Sequence, residues 1–183
     1  MIGSQLKLGF SLACALVAAL ALPALGKDKG VPLETEQDQS ALQTAESACA
    51  VRDFTLLLEA MAASDAVVRR YSAPEISVLV DGVVKPIARE EYRDFPLGML
   101  EYSWISRASM LAWDRNPDAE LEDLDVELNQ SQSDWWRVDF APVSDHGSAS
   151  SGEAIGGHTT DGYLLFEPTA DCWQLVEQNS DTP

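Results

Sequence analysis

Positive charge is scarce in this chain. It has 12 Lys and Arg residues against 30 Asp and Glu residues, which gives a formal net charge of −18. The acidic residues are spread along the sequence rather than gathered in one tail. A surface this anionic repels phosphate backbones and anionic headgroups, so the composition excludes nucleic acid and anionic lipid as partners.

Histidine is almost absent, with only His146 and His158 in the whole chain. Both lie in residues 144–162, a small and polar stretch with five glycines that favours a mobile loop or an extended hairpin tip. A metal site needs ligands in a fixed geometry, and a catalytic triad needs an oriented imidazole. We therefore expect no metal site, no cofactor and no serine–histidine triad.

Cysteine is also rare. Cys14 lies in an N-terminal apolar segment, and the Ser11-Leu12-Ala13 before it is a poor match to a lipoprotein site. Cys49 and Cys172 remain, and in an oxidising compartment such a pair is expected to form a disulfide that ties the first helix to the last strand. The alternative is two separate buried thiols that pack as small apolar groups.

The first 26 residues have the pattern of a secretory signal peptide. Lys7 is followed by an apolar run over residues 8–22 and by the small-residue ending Ala24-Leu25-Gly26. We expect cleavage before Lys27, and a periplasmic or secreted protein with no membrane contact after cleavage. The run is also about long enough to span a bilayer, so an uncleaved N-terminal anchor is the alternative.

The hydrophobic pattern predicts helices first and strands afterwards. Apolar residues three to five apart over residues 40–63 indicate one long helix that begins at Ser40, and Ser64 caps a short helix over 66–71. A third helix is expected over 88–94. Strands are expected over residues 76–80, from 83 onward, and over 101–113, 121–128, 135–140, 163–166 and 172–178.

Two local signals refine the strand prediction. Asp81-Gly82 between two β-branched runs is typical of a two-residue hairpin turn, and Pro86 restricts the return strand to a sheet edge. Helices followed by strands indicate an α+β fold with an antiparallel sheet. We assign residues 27–39 to a disordered lead-in, 40–178 to a single domain and 179–183 to a disordered tail.

Three segments of the chain have recognisable motifs. They are RRYSAPEISV at residues 69–78, Asp81-Gly82 followed by IAREEY at 87–92, and CWQLVEQ at 172–178. In this order they resemble the helix-to-strand step, the turn with the third helix, and the closing strand of the NTF2-like superfamily, in particular its SnoaL-like branch and related domains of unknown function. The resemblance covers roughly residues 41–178.

This resemblance implies a cone-shaped α+β fold in which N-terminal helices pack on a strongly curved antiparallel sheet. It also implies an apolar pocket between sheet and helices, and frequent homodimers through the outer face of the sheet. The superfamily includes isomerases, dehydratases, cyclases and binding modules, so the function must be inferred from the site. Ketosteroid-isomerase-like members carry an aspartate base on the first strand, where this chain has Leu79, which cannot accept a proton.

Other residues remain candidates for the pocket. We expect Tyr92, Tyr102, Trp104 and Trp136 to line it, because amphipathic aromatic rings suit the wall of such a pocket. For an enzyme, the candidate catalytic groups are Glu91 or Asp139 as the carboxylate and Tyr102 as a hydrogen-bond donor. Glu91 also fits a solvated helix face, and Arg107 fits either an anion-binding role or a cross-strand ion pair.

Two functions follow from these expectations. The first is a non-catalytic module that binds a small apolar or weakly polar molecule, or that forms a homodimer. The alternative is a SnoaL-like enzyme of the isomerase, cyclase or dehydratase type that uses a pocket carboxylate. The missing aspartate base favours the non-catalytic module.

Cleavage before Lys27 would leave a secreted chain of 157 residues. Intact-mass measurement of the protein recovered outside the cytoplasm should give the mass of residues 27–183 less two hydrogens for the disulfide. A mass that includes residues 1–26 would show that the segment is retained as an anchor.

Overall fold

A computed structural model describes residues 35–80, 82–143 and 162–180. The predicted signal peptide, most of the lead-in, both histidines and residues 181–183 lie outside the described residues. The described part has an α+β fold with N-terminal helices and a six-stranded, mostly antiparallel sheet. Its elements are α1 (Glu36–Val51), α2 (Phe54–Ala63), α3 (Asp65–Arg70), β1 (Ser72–Val80), β2 (Val83–Ala88), β3 (Leu97–Leu100), β4 (Ser103–Ser106), α4 (Arg107–Arg115), β5 (Leu124–Gln130), β6 (Trp136–Pro142), β7 (Gly162–Pro168) and β8 (Trp173–Ser180).

The first helix begins earlier than the sequence analysis predicts. Thr35 and Asp38 form a capping box, in which the Thr35 hydroxyl accepts from the Asp38 amide at 3.1 Å and the Asp38 carboxylate accepts from the Thr35 amide at 2.9 Å. Helix α1 therefore starts at Glu36 instead of Ser40. Residues 36–39, predicted to be disordered, are helical because this cap satisfies the first free amides.

The predicted single helix over residues 40–63 is wrong, because the chain breaks it in two. Arg52 adopts a left-handed conformation with φ of 59° and ends α1. The Asp53 carboxylate then caps α2 by accepting from the amide of Leu56 at 3.0 Å. The expected Ser64 cap of α3 is confirmed, since the Ser64 hydroxyl accepts from the Ala66 amide at 3.1 Å.

The main sheet has the strand order β2-β1-β8-β7-β6-β5. Every neighbouring pair is antiparallel except β1 and β8, which run parallel, so the sheet is mixed rather than antiparallel throughout. The prediction of a strongly curved sheet is also wrong: the sheet is open and not strongly curled. Bulges bend sheets, and the described strand pairs shift register at only two places, between Ser72 and Ser77 and between Leu165 and Phe166.

Both hairpin predictions are confirmed. Val80 pairs with Val83 across the first turn, where Gly82 has the positive φ of 72° that glycine tolerates best. Pro86 lies on β2, which is an edge strand. The closing hairpin consists of β7 and β8, although β8 extends to Ser180 and takes in the first two residues of the predicted tail.

Two segments differ from the predicted elements. Residues 88–94 form the end of β2 and a single turn instead of a third helix, because an isolated helix of seven mostly charged residues is unstable. The predicted strand over 101–113 stops at Ser106, and α4 follows. Ala108, Met110 and Leu111 are good helix formers, so helix propensity prevails over the alternating pattern of aromatic residues.

The hydrophobic core lies between the helices and the inner face of the sheet. Phe54, the first residue of α2, stacks on Trp136 at 4.5 Å between ring centroids and meets Phe166 and Trp173 edge-on. Most of the fully buried large side chains come from α2 and the inner face: Leu57, Leu58, Met61, Ile76, Val138, Leu164, Phe166 and Leu175. None of the described helices is long and apolar enough to cross a bilayer.

The predicted disulfide is confirmed. Cys49 in the last turn of α1 is bonded to Cys172, directly before β8, with a Cα–Cα distance of 4.9 Å. The bond closes a loop of 123 residues and joins the N-terminal helices to the closing hairpin.

Replacing Cys49 and Cys172 together by serine should lower the free energy of unfolding by up to about 4 kcal/mol, because the unfolded chain regains the entropy of an open loop. Chemical denaturation with and without reductant measures this effect. Reductant should bring the wild-type protein close to the double variant and leave the double variant unchanged. Equal stability of the wild-type protein with and without reductant would contradict the prediction.

Candidate functional site

A cleft of about 370 Å³ opens at the end of the sheet where β6 and β8 finish. These two strands run in the same direction because each is antiparallel to β7. The segment before β3, the first turn of α4 and the start of β5 complete the walls. The lining residues are Arg93, Asp94, Phe95, Pro96, Ser106, Arg107, Ala108, Leu111, Glu122, Leu124, Phe140, Pro142, Gln178 and Ser180.

The floor of the cleft is apolar. Phe95, Leu124 and Phe140 are each less than 10% exposed, and all three belong to the hydrophobic core. Phe140 pairs with Gly162 on β7, and a Cβ atom at Gly162 would lie only 2.4 Å from the edge of the Phe140 ring. Glycine at position 162 therefore provides the space in which the ring of Phe140 packs.

Gln178 closes one wall through hydrogen bonds of its amide. It is 3% exposed, and its Oε1 accepts a hydrogen bond from the hydroxyl of Tyr92. Its Nε2 donates to the Asp94 carbonyl at 3.0 Å and to the Ser180 hydroxyl at 2.6 Å. Both ends of the amide have partners, so the wall is held in one arrangement and Gln178 fixes the segment before β3 against β8.

Tyr92 is buried behind this wall. Burial raises the pKa of its hydroxyl well above the ordinary value, and the nearby Asp94 carboxylate adds to the effect. The hydroxyl therefore stays protonated and acts as the donor to Gln178.

Arg107, at the start of α4, connects the opposite wall of the cleft to α2 and α3. Its guanidinium donates to the carbonyl of Ala62 at 3.0 Å and to the carboxylate of Asp65 at 2.7 Å, and its side chain is 14% exposed. The two partners lie at the end of α2 and the start of α3. The expected ion pair is therefore present, but it joins two helices instead of two strands.

The predicted pocket residues do not meet in this cleft. Tyr92 reaches the cleft only through Gln178, and Tyr102 is 98% exposed in the turn between β3 and β4. Trp104 is half-buried on β4, which pairs with β3 in a separate two-stranded sheet and places Trp104 opposite Met99. Trp136 packs against Phe54 in the core, near the other end of the sheet. None of these four side chains is among the residues that line the cleft.

The three catalytic candidates do not converge either. Glu91 is exposed in the turn after β2, and Tyr102 is exposed on a different hairpin. Asp139 is 8% exposed, but it points to the outer face of the sheet, because its neighbours Val138 and Phe140 point into the core. A proton donor and acceptor must reach one substrate, and within the described residues these three groups lie on separate parts of the fold.

Asp139 belongs instead to a polar network across the outer face. Its carboxylate accepts from Arg137 at 2.8 Å and from Asn129 at 3.2 Å, and the Arg137 guanidinium lies 3.9 Å from the ring centre of Tyr163. The Tyr163 hydroxyl donates to Glu177. Hydrogen bonds raise the pKa of Arg137, through Asp139, and the pKa of Tyr163, through Glu177. The members satisfy one another, which is typical of a stabilising surface network.

Only some of the residues around the cleft could be predicted from the sequence. The alternation of Trp136, Val138 and Phe140 predicts the inner face of β6. Gln178 was missed as a wall residue, and Arg107 was predicted only as an anion-binding or ion-pair residue on a strand, because their partners are 84 and 45 residues away along the chain. Long-range contacts of this kind leave no local pattern.

A comparison of the sequence with protein-family models and with curated proteins finds no match. Within the described residues, no group of three or more His, Cys, Asp or Glu side chains has an arrangement that could hold a metal ion.

Replacing Tyr92 by phenylalanine should destabilise the protein by about 1–2 kcal/mol, because the buried Oε1 of Gln178 loses its donor. Thermal or chemical denaturation measures the change. Tyr102→Phe is the matched control, since its hydroxyl is fully exposed and its loss should have no measurable effect. If both variants are equally stable, the Gln178 wall does not depend on this hydrogen bond.

Proposed function

We propose that this protein binds a small apolar or weakly polar molecule in the cleft between β6, β8 and α4, and that it does so without catalysis. The observation that carries the proposal is the cleft itself. Its volume of about 370 Å³ lies within the range of small-molecule sites, and it combines an apolar floor with a few polar groups on its walls.

We further propose that the chain is an NTF2-like domain. Support comes from the order of its elements, with three helices and a hairpin at the start and four consecutive strands of the same sheet at the end, although a separate β3–β4 pair and α4 lie between them. It also comes from the segments that carry the resemblance: residues 69–78 run from α3 into β1, and residues 172–178 form most of β8. The weak curvature of the sheet differs from what the resemblance implies.

The alternative is a SnoaL-like enzyme that uses a pocket carboxylate. Asp94 and Glu122 line the cleft, but no hydrogen bond or ion pair of the described residues orients either carboxylate. Glu91, Tyr102 and Asp139, the groups that the sequence favours, lie elsewhere. A proton transfer needs an oriented acid or base beside the substrate, so the binding function is the better supported of the two.

We propose a periplasmic or secreted location as well. The N-terminal sequence pattern supports it, and so does the disulfide between Cys49 and Cys172, because such bonds persist in oxidising compartments. A homodimer through the outer face of the sheet is a second candidate role. It is favoured by Leu79 and Leu165, which are half-buried on that face beside the polar network.

Filling the cleft tests the binding function. Ala108 is exposed and lines the cleft, so Ala108→Trp should block binding with little effect on folding. A screen of uncharged aromatic and aliphatic compounds should raise the melting temperature of the wild-type protein. Ligand at 100 times Kd adds about 2.7 kcal/mol of stability. The same compounds should not raise the melting temperature of Ala108→Trp.

Ala50→Trp is the matched control, because Ala50 is an exposed helical position that does not line the cleft. It should respond to ligands as the wild-type protein does. Two results would refute the binding function: no compound shifts the wild-type protein, or the Ala108→Trp variant keeps the full response. Light scattering on the same samples tests the homodimer, which a molar mass of one chain would exclude.

A further inference from the structure

The main sheet ends in β5, and one side of this strand has no partner strand among the described residues. On its other side β6 pairs with it over its whole length, without a register shift. The Ser131 amide donates to the Trp135 carbonyl at 2.8 Å, directly after the end of β5. Because hydrogen-bonded pairs alternate along an antiparallel ladder, the odd-numbered residues of β5 bond to β6. The backbone groups of the even-numbered residues therefore point away from the sheet: Leu124, Val126, Leu128 and Gln130.

These four residues form an open backbone edge. Within residues 35–80, 82–143 and 162–180, no hydrogen bond reaches their backbone amides or carbonyls. Strand β4 meets the chain only before this point, where the Ser106 amide donates to the Glu122 carbonyl at 2.8 Å and Ile105 bridges Asp123. Unpaired backbone groups along a regular strand are a template for a further strand.

The opposite edge of the sheet, β2, is blocked. The two-residue turn makes Val80 and Val83 a hydrogen-bonded pair, so Pro86 lies at a position that points away from β1. Proline has no amide hydrogen and removes a donor from this edge. The carbonyl of Ala88 already accepts from the amide of Tyr92 at 3.0 Å. Strand β5 contains neither a proline nor a bulge, so it is the edge that can accept a strand.

The side chains of β5 indicate the chemistry of that strand. On the inner face, Val126 and Leu128 are only half-buried, so each keeps apolar surface that a neighbouring strand would cover. On the outer face, Asp125 and Glu127 are exposed, and among the described residues neither takes part in an ion pair. Residues 116–136 contain seven Asp and Glu residues and no Lys or Arg, so no base lies beside these carboxylates in the sequence.

This charge disfavours a second copy of the chain as the partner. Two-fold pairing of the whole of β5 with its own copy would place Glu127 opposite Glu127, and like charges directly opposite each other destabilise a strand pair. The formal net charge of −18 adds to the repulsion. A strand with Lys or Arg at alternate positions has the complementary charge.

We propose that β5 is a docking edge for an extended, basic segment of another protein, which adds to the sheet as a seventh strand. Its backbone bonds to the four even-numbered residues, its Lys or Arg side chains lie beside Asp125 and Glu127, and its intervening apolar residues cover Val126 and Leu128. The edge shares only Leu124 with the lining of the cleft, and this inference does not depend on the small-molecule function.

Two synthetic peptides of opposite charge test the docking edge: acetyl-KVKVKTK-amide and acetyl-EVEVETE-amide. Amide hydrogen exchange of the labelled protein, followed by NMR, reports on the edge directly. In the free protein the amides of the four even-numbered residues should exchange rapidly, because they face solvent. The basic peptide at about ten times Kd should slow them about tenfold, since only about a tenth of the protein is then free. The acidic peptide should not slow them.

Three results of this experiment would overturn the proposal. The first is slow exchange of these amides in the free protein, which would show that the edge is already covered. The second is the absence of binding by the basic peptide. The third is binding that leaves the four amides in rapid exchange, which would show that charge alone holds the peptide.

Glu127→Gln should weaken the binding of the basic peptide about two- to fivefold, as expected for one exposed ion pair. Glu75→Gln is the matched control, because Glu75 is also an exposed carboxylate on the outer face but lies on β1, beside the opposite edge. It should leave the Kd unchanged. Equal effects of the two variants would show that the peptide responds only to net charge, and the assignment to β5 would be wrong.

Val126→Pro places on β5 the device that blocks β2, because it removes an amide that points away from β6. It should weaken the binding of the basic peptide about tenfold, through the lost hydrogen bond and the ring in the path of the added strand. Val126→Ala is the control, since it loses similar packing but keeps the amide. Equal Kd values for two folded variants would refute strand addition. If Val126→Pro does not fold, the exchange of the four wild-type amides decides the question.

Discussion

The position of the helices on the sheet depends on one junction, where the end of α1 meets the turn before β6 and the turn before β8. Cys49 is bonded there to Cys172, and Arg52 ends the helix in a left-handed conformation that directs its side chain over the ring of Trp173, 4.2 Å away. The guanidinium also pairs with Asp134, whose carbonyl accepts from the Trp173 indole at 2.9 Å. A covalent bond, a cation–π contact and an ion pair thus act on the same few residues.

This junction determines where a cleft can form. It lies at the start of β8, and the Phe54 ring at the start of α2 packs on Trp136 at the start of β6. The helices therefore cover that end of the inner face. Pro142 lies six residues after Trp136 on β6, which is about 20 Å along the strand. At that end the inner face is covered by the segment before β3 and by α4. Gln178 joins the segment before β3 to β8, and Arg107 joins α4 to the end of α2. Of the described residues, only these two segments cover the apolar floor at this end of the sheet, and the cleft lies between them and the floor.

Much of the fold follows from local patterns in the sequence. The β1–β2 hairpin depends on the glycine in its turn, and Pro86 requires β2 to be an edge strand. The β7–β8 hairpin depends on two apolar runs around a short turn. All three features are predictable from neighbouring residues. The predictions failed where local signals compete. Residues 107–113 alternate like a strand but favour a helix by propensity, and the Asp53 cap divides a helix whose apolar stripe reads as continuous.

The candidate site was less predictable than the fold, because its residues become neighbours only through distant contacts. Aromatic residues indicated a pocket, but Trp136 is used in the core and Tyr102 is exposed in a turn. The sequence by itself determined the acidic composition, the cap of α3 at Ser64 and the first hairpin, since these follow from composition and short-range pattern. Only the tertiary structure decided the bond between Cys49 and Cys172, the parallel pairing of β1 with β8 and the position of the cleft, because each depends on which distant segments lie beside one another.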